Sequence, residues 1–364
     1  MATPRSFLAK FLSALLLSAL APISYAQSQS DLELAAAAAD AVLRGCDILD
    51  TSSCLYPFPS DHYTVAVGDG ETARTQNIYT GRRVNFSPLA TPRNAAGKPI
   101  DPTEWNRNDD YSPGTMIFSY LPGLDRAGLL QSFGFTPAGD PNQDNRVGIT
   151  NPAITTTAGA PIQVINARTG ERHPVWAEMD VNADTILPEV EFFPGAQRPQ
   201  PGRSALILRP ARNFTPGDRY VVVLQNLVDA SGNSIAPTPA FQACRDGAAI
   251  PNPVVTARCD ALEASVFPVI DAANIDRAGL VLAWDFTVAS AQNTTARLTH
   301  MRDDAFSSLA RPDGSNADCS KYDYAAEPAD LSQVTDGYVN DCACLLYTSP
   351  SPRDRSLSRM PSSA

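Results

Sequence analysis

The sequence predicts a mainly β protein with a helical insertion and a loop-rich N-terminal region. Short runs of β-branched and aromatic residues, bounded by Pro, Gly and Asn, recur between residues 115 and 288. Helical spacing of apolar residues is confined to the segments 31–43, 254–270 and 291–309. The 364 residues include 31 Pro and 21 Gly without any collagen-like period, beside a hydrophobic content of 43%, which allows a core between many turns.

Asp31 to Leu43 is Ala- and Leu-rich and reads as one helix. Cys46 to Tyr63 is loop-like, with Pro57 and Pro59 flanking Phe58. Gly68 to Asp110 is polar and punctuated, with a short strand at Arg83-Val84-Asn85-Phe86. Thr115 to Leu121 reads as a strand ended by Pro122-Gly123. Asp140-x-Asn142-x-Asp144 has the opening of a calcium loop, but Asn145 replaces the Gly and Asn151 the bidentate acid, so a solvated loop is expected. Pro161 to Asn166 and His173 to Met179 flank the turn Thr169-Gly170-Glu171 in a hairpin pattern. Ser204 to Arg209 and Arg219 to Leu224 are further strands, with a turn fixed by Pro216-Gly217 between them. Val254 to Ile270 is helical, and Leu280 to Val288 is a strong strand. An amphipathic helix from Ala291 to Leu309 has Ser290 as its N-cap and Leu298, Met301, Ala305 and Leu309 at helical spacing.

Both ends read as foreign to the fold. Residues 1–26 have the form of a secretory signal peptide: Arg5 and Lys10, an apolar run from Phe11 to Ile23, then Ser24-Tyr25-Ala26. That run is too short to span a bilayer, so no membrane span is expected after cleavage. Residues 344–364 resemble a translated sequencing-library adapter, in the pieces Cys344 to Asp354 and Ser358 to Ala364, and are expected to be disordered. The natural frame is therefore expected to be cut near Ala343, with 311–343 a polar connector to a missing domain. The net charge is −11; removing two positive charges with each end leaves −15 for residues 27–343. An acidic chain without a basic stripe argues against nucleic acid as a partner. Behind a signal peptide, the six cysteines Cys46, Cys54, Cys244, Cys259, Cys319 and Cys342 suggest disulfides in a secreted or periplasmic protein. Six cysteines permit 15 connectivities, of which pairing each with its nearest neighbour in sequence is the simplest.

The stretch Leu208-Arg209-Pro210, Phe214-Thr215-Pro216-Gly217-Asp218-Arg219-Tyr220-Val221-Val222 and Val228-Asp229-Ala230-Ser231-Gly232-Asn233 resembles the end of a bacterial Ig-like domain. Asp101-Pro102-Thr103-Glu104-Trp105-Asn106-Arg107-Asn108-Asp109 and Ala283-Trp284-Asp285-Phe286-Thr287-Val288-Ala289-Ser290 are similar to segments of large secreted bacterial lipase/esterase-type proteins. In those proteins an Ig-like N-terminal region precedes an α/β-hydrolase domain. The resemblance implies an Ig-like β-sandwich over 115–310, with a helical insertion and a trailing helix, after a helix and loop-rich region over 27–114. It also implies that the partner in cis is the missing C-terminal hydrolase domain.

Little in the chain itself promises catalysis. An α/β-hydrolase needs Gly-x-Ser-x-Gly; the nearest approach, Gly232-Asn233-Ser234-Ile235-Ala236, lacks the final Gly. His62, His173 and His300 are scattered and tied by no spacing to a nucleophile or a metal motif. Glu104, Asp109 and Asp110 cluster with Trp105, which could stack on a sugar, and Asp303 adjoins Asp304; a hydrogen-bonded loop and a solvated helix face account for them more simply. Trp105, Trp176 and Trp284 read as packing residues, and no phosphate-cradling Gly motif implies a nucleotide cofactor. The expected function is the non-catalytic N-terminal region of a secreted lipase/esterase-like hydrolase. The alternative is a secreted Ig-like binding module for a polymer or cell surface.

Overall fold

A computed structural model describes residues 29–50, 54–68, 70–94, 96–135, 148–180, 204–248 and 250–308. In chain order these form α1 (Gln29–Arg44), β1 (Thr64–Ala66), α2 (Glu71–Thr75), β2 (Arg82–Val84), β3 (Ile117–Ser119), α3 (Arg126–Ser132), β4 (Gly148–Ile149) and β5 (Ile162–Asn166). There follow β6 (Val175–Met179), β7 (Leu206–Pro210), β8 (Arg219–Gln225), α4 (Pro239–Arg245), α5 (Pro253–Ser265), α6 (Phe267–Ala272), β9 (Leu280–Thr287) and α7 (Ala291–Ser308). The strands make three antiparallel sheets, in the orders β1-β2, β3-β7-β6-β4 and β5-β8-β9. The protein is thus mainly β with helices, as its strand-rich middle implied.

Burial pattern separates the two larger sheets. In β6 the exposed Trp176 alternates with buried Val175 and Ala177, so one face of its sheet meets the core. Strands β5 and β9 are buried at every position and β8 at all but Arg219, which is what unbroken apolar runs such as Tyr220 to Leu224 require. On one face of β8-β9, Tyr220 and Phe286 pack on Phe214 of the connection between β7 and β8. The other turns to α5: Arg219 donates to the carbonyl of Ser265 at 2.5 Å and pairs with Asp285 at 3.0 Å. Between β7 and β8, Thr215-Pro216-Gly217-Asp218 closes a turn with a 3.2 Å bond from the Asp218 N–H to the Thr215 carbonyl, and Gly217 takes φ +80°.

One expectation changes. The hairpin of 161–179 begins but does not continue. The Asn166 N–H reaches the Glu171 carbonyl at 2.9 Å and the His173 N–H reaches Val164 at 2.7 Å. Pro174 then offers no N–H to the ladder, and β6 crosses to pair with β7 and β4 in the other sheet. Leu49, Val84 and Tyr111 belong to the same core as β5, β8 and β9. On α7, Leu298 is 70% and Met301 66% exposed. The calcium-like stretch 140–144, the signal segment 1–26, the connector 311–343 and the tail 344–364 lie outside the described residues.

Segment 46–63 is stitched to the sheets by backbone groups. Phe58 exchanges two hydrogen bonds with Phe118 of β3 (2.8 and 2.6 Å), and the Trp284 indole donates to the Pro59 carbonyl at 2.8 Å. Helix α1 buries Leu34, Ala38 and Ala41, spaced as one helical face, against Ala240, Ala243 and Val255 of α4 and α5. Among the described residues two disulfides form: Cys46–Cys54 packs in this second core, and Cys244–Cys259 joins it to the main core; Cys319 and Cys342 lie outside them. Arg258 of α5 is buried on Asp47 through contacts of 2.9 to 3.2 Å. Burial alone would raise the Asp47 carboxyl, but Arg258 holds it below the usual carboxylate range.

Removing one partner of such a pair strands the other in an apolar setting. Arg258→Met should therefore lower unfolding stability by about 3–5 kcal/mol in urea titrations. The double variant Asp47→Leu/Arg258→Met should recover much of that loss. Equal losses in the single and double variants would show that the stranded charge is not the cause.

Candidate functional site

Two cavities flank strand β2. The larger, about 1160 Å³, is lined by Asp61, His62, Arg82, Arg219, Arg258 and Asp285 among others. The smaller, about 680 Å³, includes Arg83, Glu104, Trp105, Asn108, Asp110 and Arg297 in its wall. Arg82 and Arg83 follow one another on β2, so the alternation of a strand sends them to different cavities.

The first cavity is a satisfied charge network. Asp61 accepts from the N–H and the hydroxyl of Thr287, both at 2.8 Å, and lies 3.7 Å from Arg82. Its burial and the nearby Asp285 raise its pKa against these contacts. His62 packs edge-on against Tyr63, and desolvation lowers its pKa against the attraction of Asp47. Its ring is hydrogen-bonded to the backbone of Cys46. His173 is buried against Phe214 and bonded to the Arg212 carbonyl at 2.9 Å, while His300 sits on the exposed length of α7. Ser234 is exposed beside a turn held by Asp229, not at a strand-to-helix elbow. The three histidines therefore serve three separate surroundings.

The second cavity differs. Of the acids clustered in sequence, Glu104 and Asp110 enter it and Asp109 does not. Asp109 is fully buried and accepts from the Tyr79 N–H (3.0 Å), the Ser290 N–H (3.0 Å) and the Ser290 hydroxyl (2.6 Å). Ser290 in turn caps α7 by accepting from the Asn293 N–H at 3.0 Å. Glu104 is engaged by Arg107 and Arg297, and both interactions lower its pKa.

Asp110 is supported far less: Thr80 and Arg82 lower its pKa, but burial and Asp61 outweigh them. It is 2% exposed, its backbone takes φ +134°, and neither carboxyl oxygen has a protein hydrogen-bond partner. The adjacent Thr80 hydroxyl donates to the Asp109 carbonyl at 2.6 Å. Burial, with Asp61 next in weight, pushes the Asp110 carboxyl up to about 8. Arg83 lines the same cavity with a buried Nε that also lacks a partner. At the rim Trp105 is 48% exposed, whereas Trp284 is fully buried and Trp176 stands on the open face of β6. Asp303 is paired with Arg302 on the outside of α7. The acid cluster beside Trp105 was visible in the sequence. The isolation of Asp110 was not, because it depends on Thr80 and Asp61, 30 and 49 positions away. Among the described residues no group of three or more His, Cys, Asp or Glu could hold a metal ion.

The proton on Asp110 has a consequence for stability. In the unfolded chain its carboxyl titrates near 3.8; in the fold it titrates near 8. Stability from this group is complete below about 3.8 and is lost as pH rises toward about 8, because the unfolded state ionises first. Asp110→Asn should flatten this slope and stabilise the protein at pH 8, by an amount on the order of a few kcal/mol. Melting temperatures of both forms from pH 5 to pH 8 test this; parallel profiles would contradict it.

Comparison with protein-family models, with curated proteins and with solved structures returned no match.

Proposed function

We propose that the chain is the non-catalytic N-terminal region of a secreted lipase/esterase-like hydrolase, an Ig-like sandwich that packs against an α/β-hydrolase domain in cis. The observation that carries this reading is α7, whose Leu298 and Met301 face outward although the helix is capped firmly at Ser290. Scattered single apolar residues on a surface are ordinary, but two one turn apart on a helix make a stripe that a second domain can cover.

The sandwich reading is supported by topology. The orders β5-β8-β9 and β3-β7-β6 match the C-F-G and B-E-D pairings of Ig-like domains, with β4 added beyond β6 and α4 to α6 between β8 and β9. Tyr220, at the start of β8, accepts a 3.0 Å bond from the Thr215 N–H, in the manner of a tyrosine corner. A secreted or periplasmic location is supported by two disulfides and the leader-like residues 1–26; among the described residues no helix is long and apolar enough to cross a membrane. The second cavity favours the alternative, a binding module for a polymer or cell surface, and one chain can serve both roles.

The purified chain should leave short-chain nitrophenyl esters uncleaved above background. Sequencing the source locus past Ala343 should reveal a Gly-x-Ser-x-Gly elbow followed by an acid and a His. Ester turnover abolished by a single Ser→Ala change, or a native stop codon directly after Ala343, would overturn the assignment. Leu298→Ser/Met301→Ser should change the stability of this chain by no more than about 0.5 kcal/mol. In the protein carrying the hydrolase domain the same changes should loosen the two domains, measured as faster proteolysis between them.

A further inference from the structure

The polar groups left unspent in the second cavity define what would complete it. Asn106 is committed to the backbone of Phe86, and Asn108 to the Trp105 carbonyl. Glu104 neutralises one charge while bridging Arg107 and Arg297. What remains is the Asp110 carboxyl, with both oxygens unpartnered at 2% exposure, and Arg83, with a buried Nε unpartnered and no ion pair. A half-exposed indole, Trp105, stands at the rim. Buried polar groups without partners are costly, so a ligand that satisfies them gains what the fold has forgone.

The local charge fixes the ligand's sign. Arg83, Arg107 and Arg297 face the cavity against the single carboxylate of Glu104, with the Asp110 proton retained at neutral pH. An excess of positive charge lines this space although the chain as a whole is acidic. The complement therefore carries a carboxylate for Arg83, hydroxyls that donate to and accept from Asp110, and a flat C–H face for Trp105. A pyranose ring with a carboxylate substituent offers all three, and a cavity of about 680 Å³ is within the usual size of small-ligand sites.

We propose that this cavity binds a hexuronate unit of an acidic glycan, with Arg83 holding the sugar carboxylate, Asp110 its hydroxyls and Trp105 stacked on its ring. The site is a binding site and no bond is broken in it. The proposal goes beyond the hydrolase assignment and does not rest on it: failure to bind glycans leaves that assignment intact, and the absence of an elbow at the source locus leaves this one intact.

The test is titration calorimetry of the purified chain at pH 7 with trigalacturonate, triguluronate and a glucuronate-containing hyaluronan tetramer, with cellotriose as the neutral control. At least one uronate oligomer should bind saturably and about tenfold or more tighter than cellotriose. Arg83→Gln should weaken that oligomer about ten- to hundredfold, the worth of a charge-assisted hydrogen bond, and leave cellotriose unchanged. Trp105→Ala should weaken every sugar that binds, while Trp176→Phe should have no effect. Both variants alter side chains that are at least partly open, and unchanged melting temperatures would certify their folds. No saturable uronate binding, equal affinity for cellotriose, or uronate binding indifferent to Arg83→Gln would each overturn the proposal.

Discussion

Strand β9 is buried along all eight residues, and the rest of the molecule is arranged to cover it. A strand with two apolar faces needs a layer on each. Phe214, in the connection between β7 and β8, packs on Phe286, and Leu262 of α5, Val266 and Ile270 of α6 belong to the same core. The polar atoms that β9 carries inward then need fixed partners. The Trp284 indole finds the Pro59 carbonyl, Thr287 finds Asp61, and Asp285 finds Arg219. This requirement draws residues 54–63 into the fold, where Phe58, Pro59 and Asp61 spend polar groups on β3 and β9.

The same requirement explains what the sequence made legible. Unbroken apolar runs such as Tyr220 to Leu224 and Leu280 to Trp284 announce strands, and Ala38 and Ala41 announce the buried face of α1. Pro216-Gly217 announces its turn because only a few residue types tolerate those dihedrals. Sheet membership was not legible. The hairpin pattern around Thr169 is real over its first two hydrogen bonds, and only the missing N–H of Pro174 and the competing edge of β7 decide that β6 goes elsewhere. The apolar spacing of α7 was legible and its environment was not, since spacing says which residues share a face and not what lies opposite.

The candidate site follows the same division. Trp105 beside Glu104 and Asp110 could be seen as a cluster, but adjacent residues in extended chain diverge. Asp109 turns inward to three donors and Asp110 turns to the cavity with none. A residue at φ +134° persists only where its surroundings over-determine it. Here the surroundings are the bonds of Asp109 on one side and those of Tyr111 on the other, where Tyr111 reaches the Ser60 carbonyl at 2.7 Å. The strain and the unpaired carboxyl therefore share one origin, in the well-satisfied residues on either side.

Asp109 also governs the geometry of α7. Its carboxylate grips the N–H and the hydroxyl of Ser290 while holding the Tyr79 N–H, so the first turn of the helix is bolted to the segment before β2. Eighteen residues at 1.5 Å each make a rod about 27 Å long. A rod fixed at one end acts as a lever: a tilt of about 10° at Ser290 would carry its far end roughly 5 Å sideways, given that length. One carboxylate, buried far from Leu298 and Met301, thus sets where those two side chains are held in space.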